Sequence, residues 1–442
     1  MEKETVLNVG FDDTDSPKGM CTTFLAYKIV DLLHRQKTEF LDFPRLIRFN
    51  PNIPWKTRGN GAVSIKIKTK NPSKVKNQIK NLVSKYSDTK NGANPGLVFY
   101  ESNLIPLEFV KFSNLALWQL INRNNAKKFA KKNNLEIYYQ GNGQGLVGAI
   151  GAIGYDFHDH TLELLSYRKK PKFGKERKIS ANSVRTMQEK TSPNTFNSFD
   201  TKKGRILITP HGPDPVFYGV RGENVDSLLY ATTILKTDEK LDGYMIFKSN
   251  QGTGDHLKNE LNFKNMKPYS SGKITGIVSN IPKIVKGGHV FFKIISKNHE
   301  FWCAVYKPTG ISVTASNLIK GDRICVGGGV RKASKNFPRI INLEFLDVLA
   351  LKKDVSLSNP NCKKCNKKMK SKGQNQEFQC ARCGKKASKK IPVETSRKIK
   401  KQLYLPKISA HRHLTRPLQR IGTVNKATKF DKSLSWFYVY RN

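Results

Sequence analysis

Four cysteines constrain this chain more than any other feature. Cys362-x2-Cys365 and Cys380-x2-Cys383 stand 14 residues apart, one short of the usual window for a zinc ribbon, and Gly384 follows the second pair as it does in zinc knuckles. Four thiolates close a tetrahedral shell and leave no open position, so the zinc is expected to be structural. The segment around them has few other core residues, so metal binding must supply the folding energy there. Cys21, Cys303 and Cys325 read as packing residues. Seven cysteines in 442 residues make no disulfide framework, which points to a reducing, cytoplasmic setting.

The charge balance narrows the partner. Against 34 Asp and Glu stand 79 Lys and Arg, a net charge of +45, and a polyanion such as nucleic acid is the first candidate to match it. Residues 351–442 carry 25 of the cations and only 4 of the acids. A membrane is not expected, because the least polar stretch, "GLVGAIGAIGY" (145–155), is far shorter than the about 20 residues of a spanning helix. The N-terminal "MEKETVLNVG" is acidic and runs straight into a strand pattern, so no signal peptide is expected.

Length alone suggests several domains. Strand patterns at 5–11, 46–50, 62–69 and 97–101 alternate with helical patterns at 22–35, 72–86 and 107–132. A strand at 135–140, a glycine-rich turn into an apolar segment (141–155) and a strand at 161–167 follow. Residues 168–200 show no period and read as a substrate-facing loop or a domain link. Strands within 204–221, a helix at 224–236 and a strand at 243–248 form a second small α+β unit. From Gly272 short strands alternate with glycine turns, which suggests a Greek-key barrel of the OB type. Phe291, Phe292, Phe301, Trp302 and Tyr306 could stack on unpaired bases or fill that barrel's core. "LYLPKISAHRHLTRPLQRIG" (403–422) mixes apolar anchors with cations and reads as a clamp on backbone phosphate.

Acid gathers at one point of this basic chain. Asp12, Asp13 and Asp15 follow the strand "VLNVGF", at the carboxyl end where open α/β sheets bind ligands. One reading is helix capping; the other is a magnesium site, since oxygen ligands that repel one another are what Mg²⁺ relieves. No Gly-x4-Gly-Lys-Ser/Thr and no kinase catalytic loop occurs, so a nucleotide site here is of another kind. Gly143, Gly145 and Gly148 match Gly-x-Gly-x-x-Gly ahead of a helical run, a phosphate cradle or a packing device. "WKTRGNGAV" (55–63) carries Lys56 and Arg58 on a turn, either toward phosphates or as an ordinary charged hairpin loop.

Taken together, "GFDDTDSPKGMCTT", "WKTRGNGAV", "GNGQGLVGAIGAIGYD", "HGPDPVFYGVRGE", "SNQGT" and the cysteine pairs closely resemble the archaeal 2-agmatinylcytidine synthetases that act on the minor isoleucine tRNA. The resemblance spans nearly the whole chain and implies an α+β multidomain fold. Its parts would be a kinase-like α/β catalytic domain (1–195), a ferredoxin-like domain (196–268), an OB-fold barrel (269–350), a zinc ribbon (351–392) and a basic C-terminal tRNA-binding segment (393–442). It implies ATP and Mg²⁺ at Asp12, Asp13 and Asp15, and autophosphorylation at Thr22. The implied substrates are agmatine and the wobble cytidine of an isoleucine tRNA with a CAU anticodon. ATP would activate the C2 oxygen by phosphorylation, and the amine of agmatine would displace it. Lys56, Arg58, Gly143 and Gly145 are the expected ATP contacts, although Lys56 and Arg58 could equally meet RNA phosphates. Asp214, in "GPDPVFYGVRGE", is either a turn residue or the partner of the agmatine guanidinium, which a carboxylate matches bidentately. Gly254, directly after Thr253, stands where the family pattern implies an acid, and Asp255 and His256 are given no role. The competing expectations are a non-catalytic OB-fold and zinc-ribbon RNA binder, or a different RNA-modifying phosphotransferase.

Overall fold

The computed structural model describes residues 4–335, 337–373, 376–426 and 428–440. The chain divides into two compact units, one from the described residues of 1–273, 327–344 and 405–442, the other from those of 274–326 and 345–404.

The first unit is built on one continuous sheet. Its first half runs β1 (Thr5–Asp12), α1 (Thr22–Arg35), β2 (Glu39–Phe40), β3 (Arg45–Arg48), β4 (Gly61–Thr69), α2 (Pro72–Tyr86), β5 (Gly96–Glu101), α3 (Leu107–Trp118), α4 (Arg123–Lys132), β6 (Glu136–Tyr139) and α5 (Leu146–Gly154). The period-2 pattern explains the strands: Leu7, Val9 and Phe11 of β1 share a core with Phe24 and Leu25 of α1 and with Val75 and Ile79 of α2. On β5, Leu97 and Phe99 join that core, while Val98 between them packs with Phe109, Leu146 and Ile150 of α3 and α5. Helices therefore cover both faces of this half. The helix α2 starts where its sequence says it should, with Pro72 in the first turn and the Asn71 side chain accepting the Lys74 N–H. The single helical pattern expected over 107–132 breaks into α3 and α4, and the Asn122 side chain opens α4 by accepting from the Asn124 N–H.

The second half runs β7 (Thr161–Arg168), α6 (Ala181–Thr191), β8 (Thr195–Phe196), a short hairpin of β9 (Phe199–Asp200) and β10 (Arg205–Ile206), β11 (Val216–Gly222), α7 (Val225–Ile234) and β12 (Leu241–Ser249). The stretch 168–200 is thus no plain link: Ser180 caps α6, whose Val184 and Met187 are buried. Strand order is β6-β5-β1-β4-β3-β12-β7-β11-β8. Counting only strands on the sheet path, each half has the succession βαββαβ (β1-α1-β3-β4-α2-β5 and β7-α6-β8-β11-α7-β12) with the first strand between the third and fourth, and the two join through the parallel pair β3 and β12. Within this sheet β7 pairs along its length with both β11 and β12.

A second sheet is formed by β13 (Ser271–Val278), β14 (Lys283–Val285), β15 (His289–Ser296), β16 (His299–Val305), β17 (Arg323–Arg331) and β18 (Ile340–Ala350). The path β13-β17-β18-β16-β15 closes through β13–β15 into a five-stranded barrel. Phe292, Phe301 and Cys303 lie in its interior, so of the aromatics expected to meet bases only Phe291, Trp302 and Tyr306 reach its surface. Lys293 Nζ sits 4.7 Å over the Trp302 ring. Beyond the barrel, β19 (Asp354–Ser358) pairs with β23 (Ile391–Thr395) around a small sheet of β20 (Lys370–Ser371), β21 (Phe378–Gln379) and β22 (Lys386–Ala387).

The expected C-terminal segment 393–442 divides. Its first part ends in β24 (Leu403–Tyr404), paired with β18 in the second unit. The described residues of 405–440 belong to the first unit. There β25 (Phe437–Val439) pairs with β12, and Trp436 packs against Phe40, Phe43 and Phe430. Two of the cations read as a phosphate clamp are bound internally: Arg416 and Arg420 both bond Asp159, and Arg420 also bonds Glu223. No helix among the described residues is long and apolar enough to cross a membrane.

Candidate active site

The end of β1 delivers the acids. Asp12 closes the strand, and its carboxylate lies against α5, where a Cβ added to Gly148 would come within 1.9 Å of Oδ2. Asp13 turns the chain with φ 56°, a left-handed conformation uncommon for a residue with a side chain. Its N–H donates to Asp12 Oδ1 at 2.7 Å. Asp15 is answered by cation and hydroxyl: Arg58 Nη1 lies 3.1 Å from Oδ2 and the Thr57 hydroxyl donates to Oδ1 at 3.0 Å. None of the three caps α1, whose N-cap is Cys21 and has no side-chain cap bond. The capping reading therefore fails.

The electrostatics separate the three further. Burial first, then repulsion from Asp15, raises Asp12 to about 7. Burial followed by repulsion from Asp12 and Asp15 raises Asp13 to about 8. Asp15 is raised by burial but held down by Arg58 and Thr57. Among the described residues no cation forms an ion pair with Asp12 or Asp13, although Arg48 lowers Asp12 from farther off. One or two carboxylates are what magnesium takes when phosphates complete its shell. The three carboxylates do not converge as a preformed cage; among the described residues, only the cysteine quartet does.

These acids line a cleft of about 640 Å³ that also takes in Thr22, Lys56, Arg58 and Asp214. Thr22 opens α1, and its hydroxyl accepts from Thr14 at 3.0 Å. Arg58 ties the β3–β4 loop to the Asp13–Cys21 turn by donating to the Met20 and Ser16 carbonyls at 2.7 and 3.1 Å. Asp214 is 2% exposed and lies 3.5 Å from Arg177 and 3.9 Å from Arg58. Its Oδ1 accepts from the Val216 N–H, whereas its buried Oδ2 has no hydrogen-bond partner among the described residues. A turn aspartate needs no such orphan acceptor; a guanidinium guest would satisfy it.

The glycine motif splits in two. Gly143 has φ +75° and forms the turn, and a Cβ on Gly145 would meet the Asp12 carbonyl and the Gly96 N–H at 2.4 Å. Neither lines the cleft; their neighbours Gln144 and Gly148 do. The turn accounts for Gly143 and close packing for Gly145.

Sequence reasoning passed over the floor of this cleft. Glu163 of β7 faces its cross-strand partner Arg221 of β11, Nε to Oε1 3.3 Å, with Arg48 Nη2 3.6 Å from Oε2. Gln251 donates its amide to Glu163, and His413 from the C-terminal segment reaches Gln251. The signals were faint: Arg221 stands within a quoted motif, and an acid in the apolar strand "TLELLSYR" is a polar group that must find partners. Cys21, read as packing only, also lines the cleft, with Sγ 3.1 Å from the Thr23 hydroxyl. Asp255 and His256 do not line it; His256 Nε2 pairs with Glu344 at 2.9 Å. Gly254 has φ +72°, so an acid there would be strained.

The zinc residues come together in the second unit. The ligand atoms of Cys362, Cys365, Cys380 and Cys383 all lie within 4.8 Å of one another. The two loops match: Cys362 N–H donates to the Lys367 carbonyl and Cys380 N–H to that of Lys385, both at 2.9 Å. Asn366 with φ 50° occupies the place that Gly384 with φ +70° takes in the second loop. Backbone amides point at Cys362 and Cys380 and favour their thiolates. Residues and geometry fit a structural zinc.

An acid pair facing cations across one cleft, joined in one chain with a five-stranded barrel and a four-thiolate ribbon, defines a multidomain enzyme of nucleic-acid chemistry. The chain belongs to the family of 2-agmatinylcytidine synthetases of the minor isoleucine tRNA: it is 45% identical to the synthetase TiaS of Cenarchaeum symbiosum over 99% of this chain and 97% of that protein. Three domain families match, the TiaS TCKD domain at residues 8–75, the TiaS FLD domain at 143–256 and the TiaS C-terminal zinc ribbon domain at 359–399. Two solved structures are similar over nearly all of the chain. A complex of TiaS with its isoleucine tRNA and ATP is 33% identical with TM-score 0.84, over 96% of this chain and 99% of that one. A complex of TiaS with the same tRNA, AMPCPP and agmatine is 31% identical with TM-score 0.82, at the same coverage.

Proposed function

We propose that this chain uses ATP to convert the wobble cytidine of a CAU-anticodon isoleucine tRNA into 2-agmatinylcytidine. One observation carries the reading: Asp12, Asp13, Asp15, Thr22, Lys56, Arg58 and Asp214, drawn from separate stretches of sequence, line a single cleft. The solved relatives bound to tRNA, ATP and agmatine support the same substrates. The repeated βαββαβ order supports a ferredoxin-like second half, and the acid pair at the end of β1 supports a kinase-like first half.

The chemistry follows from the leaving group. The C2 oxygen of cytosine is amide-like and leaves poorly, so a phosphoryl group from ATP is first transferred to it. The agmatine nitrogen then bonds to C2, the C2–O bond breaks, phosphate departs with the former base oxygen, and the nitrogen gives up one proton. Asp12 and Asp13 would hold Mg²⁺, which supplies charge neutralisation at the phosphates when bound. Arg58 pairs with Asp15 and braces the turn. Lys56 and Arg58 face the triphosphate, and Thr22 at the start of α1 offers a hydroxyl where a helix N-terminus favours a phosphate. Asp214 Oδ2 accepts the agmatine guanidinium, and the target base leaves its stack to enter.

Nucleoside mass spectrometry of the tRNA after incubation with ATP, Mg²⁺ and agmatine tests this. The wild type should add one agmatine less one water to cytidine, and Asp12→Asn should lose turnover by at least about a hundredfold while binding tRNA normally. Unmodified cytidine with the wild type, or full turnover with Asp12→Asn, would refute it.

A further inference from the structure

We propose that His413 orients the attacking amine of agmatine by accepting one of its N–H hydrogens at Nε2; the inference rests on the reaction proposed above. His413 lies in the C-terminal segment, hundreds of residues from the aspartates, yet it lines the same cleft. Its backbone is fixed there, since the Gly252 N–H donates to its carbonyl at 2.8 Å.

The hydrogen bonds behind the ring determine its tautomer. Glu163 is clamped by Arg48 and Arg221 and can only accept, so the Gln251 NH₂ turns toward it. That leaves Gln251 Oε1, an acceptor, 2.8 Å from His413 Nδ1. With the proton on Nδ1, that contact is a hydrogen bond donated to Gln251. Arg221 Nη2 also lies 3.1 Å from Nδ1 and can only donate, so it and Gln251 Oε1 cannot both bond that nitrogen; the shorter contact, at 2.8 Å, is the one to the acceptor Gln251. The consequence is a lone pair at Nε2, which has no hydrogen-bond partner among the described residues. It lies beside Gly59 of the cleft, where an added Cβ would come within 2.6 Å.

The surroundings keep that lone pair available. Burial, with Arg48, Arg221 and Lys56 around it, holds the imidazole well below its usual range. The same three cations disfavour an ammonium group at this spot. A neutral primary amine is the guest that fits: it donates an N–H to Nε2 and keeps its own lone pair for C2. The exocyclic amine of cytosine offers the same N–H chemistry, so the experiment must tell the two apart.

The test is steady-state kinetics of the full-length wild type, H413A and H413Q, with agmatine and CAU-anticodon tRNA varied in turn. Losing one hydrogen bond should raise the agmatine KM of H413A by about five- to tenfold while the tRNA KM stays within about twofold. H413Q, whose Oε1 can accept, should recover most of the loss. Melting temperatures identify a variant that fails to fold; if H413A does, H413Q with near wild-type agmatine KM still supports the assignment. An unchanged agmatine KM in folded H413A would overturn it. So would a rise confined to the tRNA KM, which would assign Nε2 to the base, or an H413Q no better than H413A, which would leave a structural role. A wild type that forms no adduct would remove the reaction itself.

Discussion

The acid pair at the end of β1 carries a residue-scale consequence for pH. Asp12 and Asp13 titrate near 7 and 8 in the fold but near 3.8 when unfolded, so between those values the folded protein holds more protons than the unfolded chain. Stability is then fully present at the acid side of that window and declines as pH rises toward 8. In the absence of divalent ions the melting temperature should fall between about pH 4 and about pH 8, and Mg²⁺ should restore more of it at the upper end. A melting curve indifferent to both would contradict the burial of an unneutralised pair. The sequence made the cluster visible, since three acids in four residues are conspicuous in so basic a chain. It did not show that Arg58 reserves Asp15, or that His413 joins the site, because both depend on contacts between distant segments.

At the scale of elements, two glycines of one motif make opposite predictions. Gly148→Ala aims its Cβ at the Asp12 side chain, which can rotate away, whereas Gly145→Ala drives into the Asp12 carbonyl and the Gly96 amide, which cannot. The first should lower activity with little change in melting temperature, and the second should destabilise by about 1–3 kcal/mol. Thermal melting and turnover measured on both variants check this, and equal behaviour would mean that the glycines share one role. Helix and strand periodicity made β1, α1, α2 and the barrel strands legible. Two things stayed hidden for physical reasons. The tail's Arg416 and Arg420 read as RNA contacts because their partners Asp159 and Glu223 are remote in sequence. The doubled βαββαβ order leaves no sequence repeat, because strand pairing constrains polarity and period and not residue identity.

For the whole molecule, the division of labour concerns charge. The ribbon's two loops were legible down to their spacing; the equivalence of Asn366 to Gly384 was not, since Asn adopts the left-handed turn less obviously than glycine. Cys380→Ser should unfold the ribbon, because a closed thiolate shell is the source of its folding energy. The expected result is weaker tRNA binding by about tenfold or more with zinc content lost, read by filter binding and metal analysis; retained zinc and affinity would contradict it. The same binding should fall steeply with salt as phosphates shed counterions.

The measurement that tests the central claim most directly follows one oxygen. A tRNA carrying a heavy oxygen isotope at C2 of the wobble cytidine, reacted with ATP and agmatine, should deliver that label into a released phosphate as the agmatine adduct forms. Label found in bulk water, with none in phosphate, would contradict a phosphorylated base intermediate.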